Sequence, residues 1–486
     1  MTGAAAVLGA LGALGVLVGR SRVVLIGGFV AVAAAEVLLG RDLAPHRLGS
    51  ALVSASGLGA VVMGLAVIGA LAAVLVRYPA FVPPAVVALA PFRLPFDVGS
   101  NKRFFIGLGE SGALGRLVPL YVTLAAAAAA LAWRLLRGEQ PKPLPPTLAV
   151  AAGGLVALMS LSLLWAHDSA ASTNRLAFFV LPFAVLLAVV AHSPFPPWLT
   201  RVLAVEAVAL GCLFAAVGIG EAWTHRLLFY EPKLAVANSY TSYFRVTSFF
   251  ADPSIYARHL VIALTILVVA VLLARVNVLL CAALMAFIWI GLYFSYSQSS
   301  MVALAASTVL VTTLAGGRRT RRLMAAAVAG VVILGAVAFL TLVRDHSVNR
   351  VVSGRWTLVR DTWVVFGNHP LEGVGVASQP AASRDETGGR SKRRTTSHTA
   401  PLTVAAELGI FGILLYVAFL AAAAQLFWKL RRFDEALGLG LLGVLAVLVA
   451  HSLSYGVFFE DPLLWSALGV GAAATLAYVP SARLAT

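Results

Sequence analysis

The chain has 486 residues, 60% of them hydrophobic and 12% charged, with a mean hydropathy of +0.93. So little charge cannot cover the surface of a water-soluble domain, so the net charge of +16 is not read as a sign of nucleic-acid binding. Two cysteines, Cys212 and Cys281, lie in separate apolar runs and imply neither a disulfide framework nor a metal site.

A hydrocarbon core of about 30 Å takes about 20 apolar residues to cross as a helix. Runs of this kind lie near 3–19, 23–40, 50–76, 78–92, 117–136, 147–166, 175–192, 202–222, 254–274, 278–294, 299–317, 323–342, 401–427, 437–456 and 463–480. The expected fold is all-α: a polytopic membrane bundle of about 12–15 transmembrane helices with a large extracytoplasmic loop. In the first run the earliest charge is Arg20, after the apolar stretch, as expected of a retained span and not of a cleaved signal. The fourth run is short and holds Pro83-Pro84, so a broken or re-entrant segment is expected there. Glu36 and Glu206 fall near span ends, close to Arg41 and Arg201, where snorkelling or local pairing accounts for them.

Lys and Arg of short loops stay cytoplasmic. GRRTRR at 317–322 and KLRRFDE at 429–435 fix the inner side, and Arg20, Arg22, Arg137, Lys142 and Arg275 agree with them when the spans alternate. The connections 93–116, 167–174, 223–253, 295–298, 343–400 and 457–462 then face outward. The 343–400 loop carries nine basic residues against five acids, which suits a surface that binds anions such as lipid phosphates. Within it, 353–367 places Trp356, Val359, Trp363 and Phe366 at helical spacing, as expected of an amphipathic helix in the headgroup region. Asn368-His369-Pro370 ends that helix, and the Ser-, Thr-, Gly- and base-rich 377–397 reads as a mobile segment or lid. Earlier, Asp252-Pro253 is a helix start, with Arg245 ahead of it and Arg258 within the first two turns. An anion could be held there, although snorkelling toward the headgroups is the simpler account of Arg258.

Taken in order, these segments resemble the O-antigen ligase and O-antigen polymerase superfamily of membrane glycosyltransferases. The likeness rests on RVTSFFADPSIYARHL (245–260), SYSQSSMVALAAS (295–307), RWTLVRDTWVVFGNHPLEGVGVAS (355–378) and SHTAPLTVAAELGIFGILL (397–415). LLWAHDS (163–169) and HSLSYGVFFEDPLLW (451–465) fit the same run. The resemblance places an O-antigen ligase-like domain at 146–480, including the loops 223–253 and 343–400, after N-terminal membrane helices at 1–145. Two positions depart from the pattern: Gln298 stands where an arginine is usual, and Thr399 where asparagine is commoner.

The resemblance implies transfer of a glycan from an undecaprenyl diphosphate carrier to an acceptor hydroxyl at the outer face of the plasma membrane. It implies a metal-independent, inverting glycosyltransferase with no cofactor; no Gly-rich phosphate loop and no acid-rich metal cluster is visible in the sequence. Arg245 and Arg355 would bind the diphosphate, with Arg258 or Arg360 in support, because a guanidinium stays charged and forks onto phosphate oxygens. His398 would take the acceptor's proton. Gln298, Glu407 and Glu460 are supporting candidates, Glu407 as a buried acid or an arginine's partner and Glu460, with Asp461, as an acceptor ligand or an arginine's partner. The partners would be the lipid-linked donor, a glycan, lipid or protein acceptor, and membrane lipids. A flippase for lipid-linked glycans, or a non-catalytic homologue that binds the carrier lipid, are the alternatives; the lack of a midplane charge weighs against transport.

Overall fold

In hydrocarbon a backbone must satisfy its own N–H and C=O groups, so apolar runs become helices. The computed structural model describes residues 2–43, 55–92, 96–97, 103–104, 117–229, 232–250, 252–273, 276–345, 355–388, 397–456 and 458–478. Its helices are α1 (Thr2–Val18), α2 (Arg22–Leu43), α3 (Ala55–Arg77), α4 (Val82–Leu89), α5 (Val118–Leu136), α6 (Pro146–Leu161), α7 (Ser169–Arg175), α8 (Leu181–Ala191), α9 (Trp198–Thr224), α10 (Pro232–Tyr240), α11 (Pro253–Leu272), α12 (Val278–Tyr293), α13 (Gln298–Ala315), α14 (Arg318–Asp345), α15 (Arg355–Asn368), α16 (Gln379–Glu386), α17 (Ala400–Leu430), α18 (Glu435–Ser452) and α19 (Pro462–Tyr478). A two-residue antiparallel ladder pairs Phe96–Asp97 with Arg103–Phe104. Among the described residues eleven helical segments are long and apolar enough to cross a membrane, one of them Ser169–Ala191, in which a wide π-type turn at Leu176–Val180 joins α7 to α8. Four shorter apolar helices, Thr2–Val18, Pro79–Leu89, Val278–Tyr293 and Pro462–Tyr478, fill the remaining places read from the sequence.

The segment with Pro83-Pro84 is broken, as expected, but it is not re-entrant. A 3-10 turn, Pro79–Phe81, leads into α4. The Phe81 ring lies 5.7 Å from Trp198 at the start of α9, while Phe92 packs against Phe214 and Phe249 at 6.0 and 5.7 Å, toward the other end of the bundle. The chain therefore runs from one end toward the other, and the alternation of ends holds. At one end Thr200 donates to Asp434 (2.9 Å) and Arg431 to the Leu314 carbonyl (3.3 Å). At the opposite end Arg245 donates to the Ser295 carbonyl (3.2 Å), and His167 meets Asp385 (3.0 Å). The second group of loops, called here the His398 end, is the set expected to lie together.

One break inside a long helix organises that end. Helix α17 is interrupted at Gly409, whose φ of 63° and ψ of −160° belong to a region open essentially to glycine alone. The backbone groups around the break are satisfied by the incoming 370–375 segment: Ile410 N donates to the Pro370 carbonyl (2.8 Å), Val374 N to Ala406 (3.0 Å) and Gly375 N to Glu407 (2.8 Å). A Cβ at Gly409 would collide with the Leu371 carbonyl, and one at Gly373 with the Glu407 backbone. On its far side the same segment is gripped by the 162–172 stretch. Val376 N donates to Ser162 Oγ (3.0 Å), His167 N to the Val374 carbonyl (2.9 Å) and Asp168 N to Ser378 Oγ (3.0 Å), while Ser172 Oγ donates to the Val376 carbonyl. LLWAHDS, HPLEGVGVAS and ELGIFG thus form one interlocked platform. Gly409→Ala is expected to destabilise the protein by at least ~1–3 kcal/mol from backbone strain alone, seen as a lower melting temperature in detergent; an unchanged melting temperature would show that the break is not required.

Helix α15 forms as expected, with Trp356 and Trp363 exposed and Asp361, Thr362 and Val365 buried, and Val365 joins Ala382 of α16 and Ala406 of α17 in one small apolar cluster. The lid reading fails for 377–388. Helix α16 is docked, because Gln379 is buried and donates to Thr362 Oγ1 (2.8 Å) and Ser383 Oγ (2.7 Å). The basic cluster Arg390, Lys392, Arg393 and Arg394, like Arg350, lies outside the described residues.

Candidate active site at the His398 end

The site is built on helix starts. Asp252 caps α11, accepting from Ser254 N (2.6 Å) and Ile255 N (3.4 Å), with Pro253 in the first turn. This start is tied to the next hairpin: Ser300 Oγ donates to the Ser254 carbonyl (3.5 Å), within a buried set of hydroxyls from Ser295, Ser297, Ser299 and Ser300. Arg245 reaches the same hairpin. Its backbone is held by Asn238, whose side chain accepts from Arg245 N (3.1 Å) and donates to its carbonyl (3.0 Å). Gln298, the residue that stands in for the usual arginine, opens α13 and is exposed. Arg245, anchored three residues upstream of it on Ser295, brings a positive charge to this turn.

His398 stands in the left-handed region, φ 58°, immediately before α17. Ser397 holds that turn, accepting from Thr399 N (3.2 Å) and sharing hydrogen bonds with Thr399 Oγ1 (3.0 Å) and Thr403 Oγ1 (2.7 Å). The half-buried imidazole lies 6.5 Å, ring to ring, from Tyr455, which in turn lies 5.2 Å from His451. Burial, and then the charge of Arg355, lower its pKa from the ordinary histidine value, against a smaller opposite effect of Asp252. Near neutral pH its ring is therefore in the proton-accepting form. If activity requires that form, it falls as pH drops through the lowered His398 pKa. Removing the Arg355 charge raises that pKa, so Arg355→Gln is expected to move the acid limb of the pH–rate profile to higher pH. An acid limb that does not move, measured with saturating donor, would separate Arg355 from His398.

Two of the expected ligands are placed otherwise. Arg258 does not snorkel: it is only 2% exposed, and its Nη2 lies 2.8 Å from Asp461 Oδ2 just before α19. Arg360 is exposed and lies about 140° around α15 from Arg355. Glu407 and Glu460 are brought together by Arg175, whose Nη1 is 3.2 Å from Glu407 Oε2 and whose Nε is 2.9 Å from Glu460 Oε1. The backbone N–H groups of Ala377 and Gln379 also point at the Glu407 carboxylate. Arg175 was not singled out in the sequence. A lone cation at the end of an apolar run, with two acids at other helix ends, is the signal that could have found it. His451, wholly buried beside Tyr455, is a second residue that the sequence motifs do not mark.

Among the described residues no three His, Cys, Asp or Glu side chains converge as a metal site would require. Among the described residues Glu36 and Glu206 form no ion pair, and each keeps one buried, unpartnered carboxylate oxygen about two turns from a helix end.

No curated protein matches the chain. Residues 281–417, running from α12 through the 343–400 loop and past the break in α17, match the O-antigen ligase family model, and the chain thus carries an O-antigen ligase domain.

Proposed function

We propose that the protein transfers a glycan from a polyprenyl diphosphate carrier, of the undecaprenyl type, to an acceptor hydroxyl at the outer face of the plasma membrane. Residues 146–480 carry the chemistry and 1–145 flank it as scaffold. The observation that carries this reading is that His398, on the turn before α17, lies within electrostatic reach of Arg355 and Asp252 at the end of an apolar bundle that also presents Arg245.

In the reaction the acceptor oxygen attacks the anomeric carbon as the bond from that carbon to the diphosphate oxygen breaks. The electron pair leaves with the lipid diphosphate, and the acceptor's proton passes to His398. Attack opposite the leaving group inverts the anomeric centre. Arg245 and Arg355 neutralise the charge that grows on the diphosphate, which is where preorganised donors give most. His398 in its neutral form is ready to accept a proton. The donor contains its own leaving group, and the arginines supply the positive charge a metal would otherwise bring, so the transfer is read as metal-independent.

The test is transfer by the purified protein from a lipid-linked glycan in EDTA, with the product's new linkage assigned by NMR. A new glycosidic bond of inverted configuration is expected. Dependence on an added divalent metal would remove the mechanism, and translocation across a vesicle without bond formation would replace it with transport.

A further inference from the structure

Away from the His398 end the bundle contains a cavity of about 550 Å³ between α9, α11, α18 and α19, a volume in the range of small-molecule sites. Its mouth, at the opposite end of the bundle, is marked by Thr200, Arg201 and Asp434, and its walls include Ala207, Ile266, Gly440 and Val470. From Ala436 to Val444 it follows α18 for about 12 Å. The polar groups along it are already used: Thr200 donates to Asp434, and deeper in, Ser466 donates to the Pro462 carbonyl. A water inside would find few partners, so the deep part is suited to a hydrocarbon chain. Gly440 borders this open space, since a Cβ there would meet nothing within 4 Å.

The mouth gives the ligand its other half. Arg201 is exposed and forms no ion pair among the described residues. One turn before it Trp198, 43% exposed, stands on the same helix face, the position in which tryptophan marks the membrane–water boundary. A cation at headgroup level above a chain-shaped apolar cleft complements a lipid whose phosphate meets the guanidinium while one chain enters the bundle. We infer that this cleft binds an anionic glycerophospholipid of the leaflet opposite the His398 end, with its headgroup on Arg201 and one acyl chain along Gly440. The site is separate from the transfer chemistry and stands whether or not that reading holds.

The full-length protein, purified in detergent and titrated with phosphatidylglycerol or phosphatidylcholine, is read by native mass spectrometry. One tightly held phosphatidylglycerol is expected, favoured roughly tenfold over phosphatidylcholine by the charge-assisted contact. Arg201→Gln should erase the preference. Gly440→Leu should remove both adducts, with Ala207→Leu as the second filling variant and gel filtration to confirm the fold. Wild-type protein without an adduct, adducts that persist in both filling variants, or retention of a polyprenyl phosphate in place of phospholipid would overturn the assignment. A preference that survives Arg201→Gln would overturn the headgroup contact.

Discussion

Replacing His398 with alanine is expected to lower glycan transfer by about 10²–10⁴-fold, the usual contribution of a positioned general base, with donor binding nearly intact. The turn that carries His398 is held by the Ser397 hydroxyl and by Thr399 and Thr403, not by the imidazole, so the backbone survives loss of the ring. Because a left-handed φ of 58° is strained for alanine as well, His398→Asn, which tolerates that region, gives a second and less strained variant. Both should retain the wild-type melting temperature and lose turnover together. The measurement is single-turnover transfer with saturating lipid-linked donor. Wild-type rates in either folded variant would remove His398 from the chemistry and leave Arg245 and Arg355 as a binding surface only.

The positions of the helices were legible because hydrocarbon leaves few options: a span must be helical and about 20 residues long. The start of α11 was legible for a local reason, Asp252 and Pro253 being a cap that needs nothing distant. The motif segments that carry the family resemblance gave no hint of their architecture, because their meaning depends on a partner far along the chain. The Gly409 break can only be understood with the 370–375 backbone inserted into it, and that insertion only with the 162–172 stretch behind. The same holds for charge. Arg175 finds Glu407 and Glu460, and Arg258 finds Asp461, across more than two hundred residues that no periodicity connects. The docking of α16 is not legible in composition, because its polar side chains bond to α15 and to each other instead of to water.

Arg258 offers the second large effect, because two roles for it predict opposite outcomes. Its side chain and that of Asp461 are 3% and 2% exposed and meet at 2.8 Å. Removing one member of such a pair strands a buried charge, so Asp461→Leu or Arg258→Met alone is expected to cost about 3–5 kcal/mol. Replacing both with apolar residues of similar volume removes both desolvation penalties, and such exchanges are often neutral or stabilising. The double variant Arg258→Met/Asp461→Leu should therefore regain most of the stability that either single variant loses, by thermal unfolding in detergent. Its activity then decides what the pair is for. If Arg258 serves only to join the start of α11 to the start of α19, transfer recovers with the fold. If Arg258 also binds the donor's diphosphate, the refolded double variant stays impaired, with a raised KM for the lipid-linked donor. The geometry favours the first outcome: the Arg258 guanidinium is already committed to a carboxylate and closed off from solvent, while Arg245 and Arg355 are each at least partly open to it.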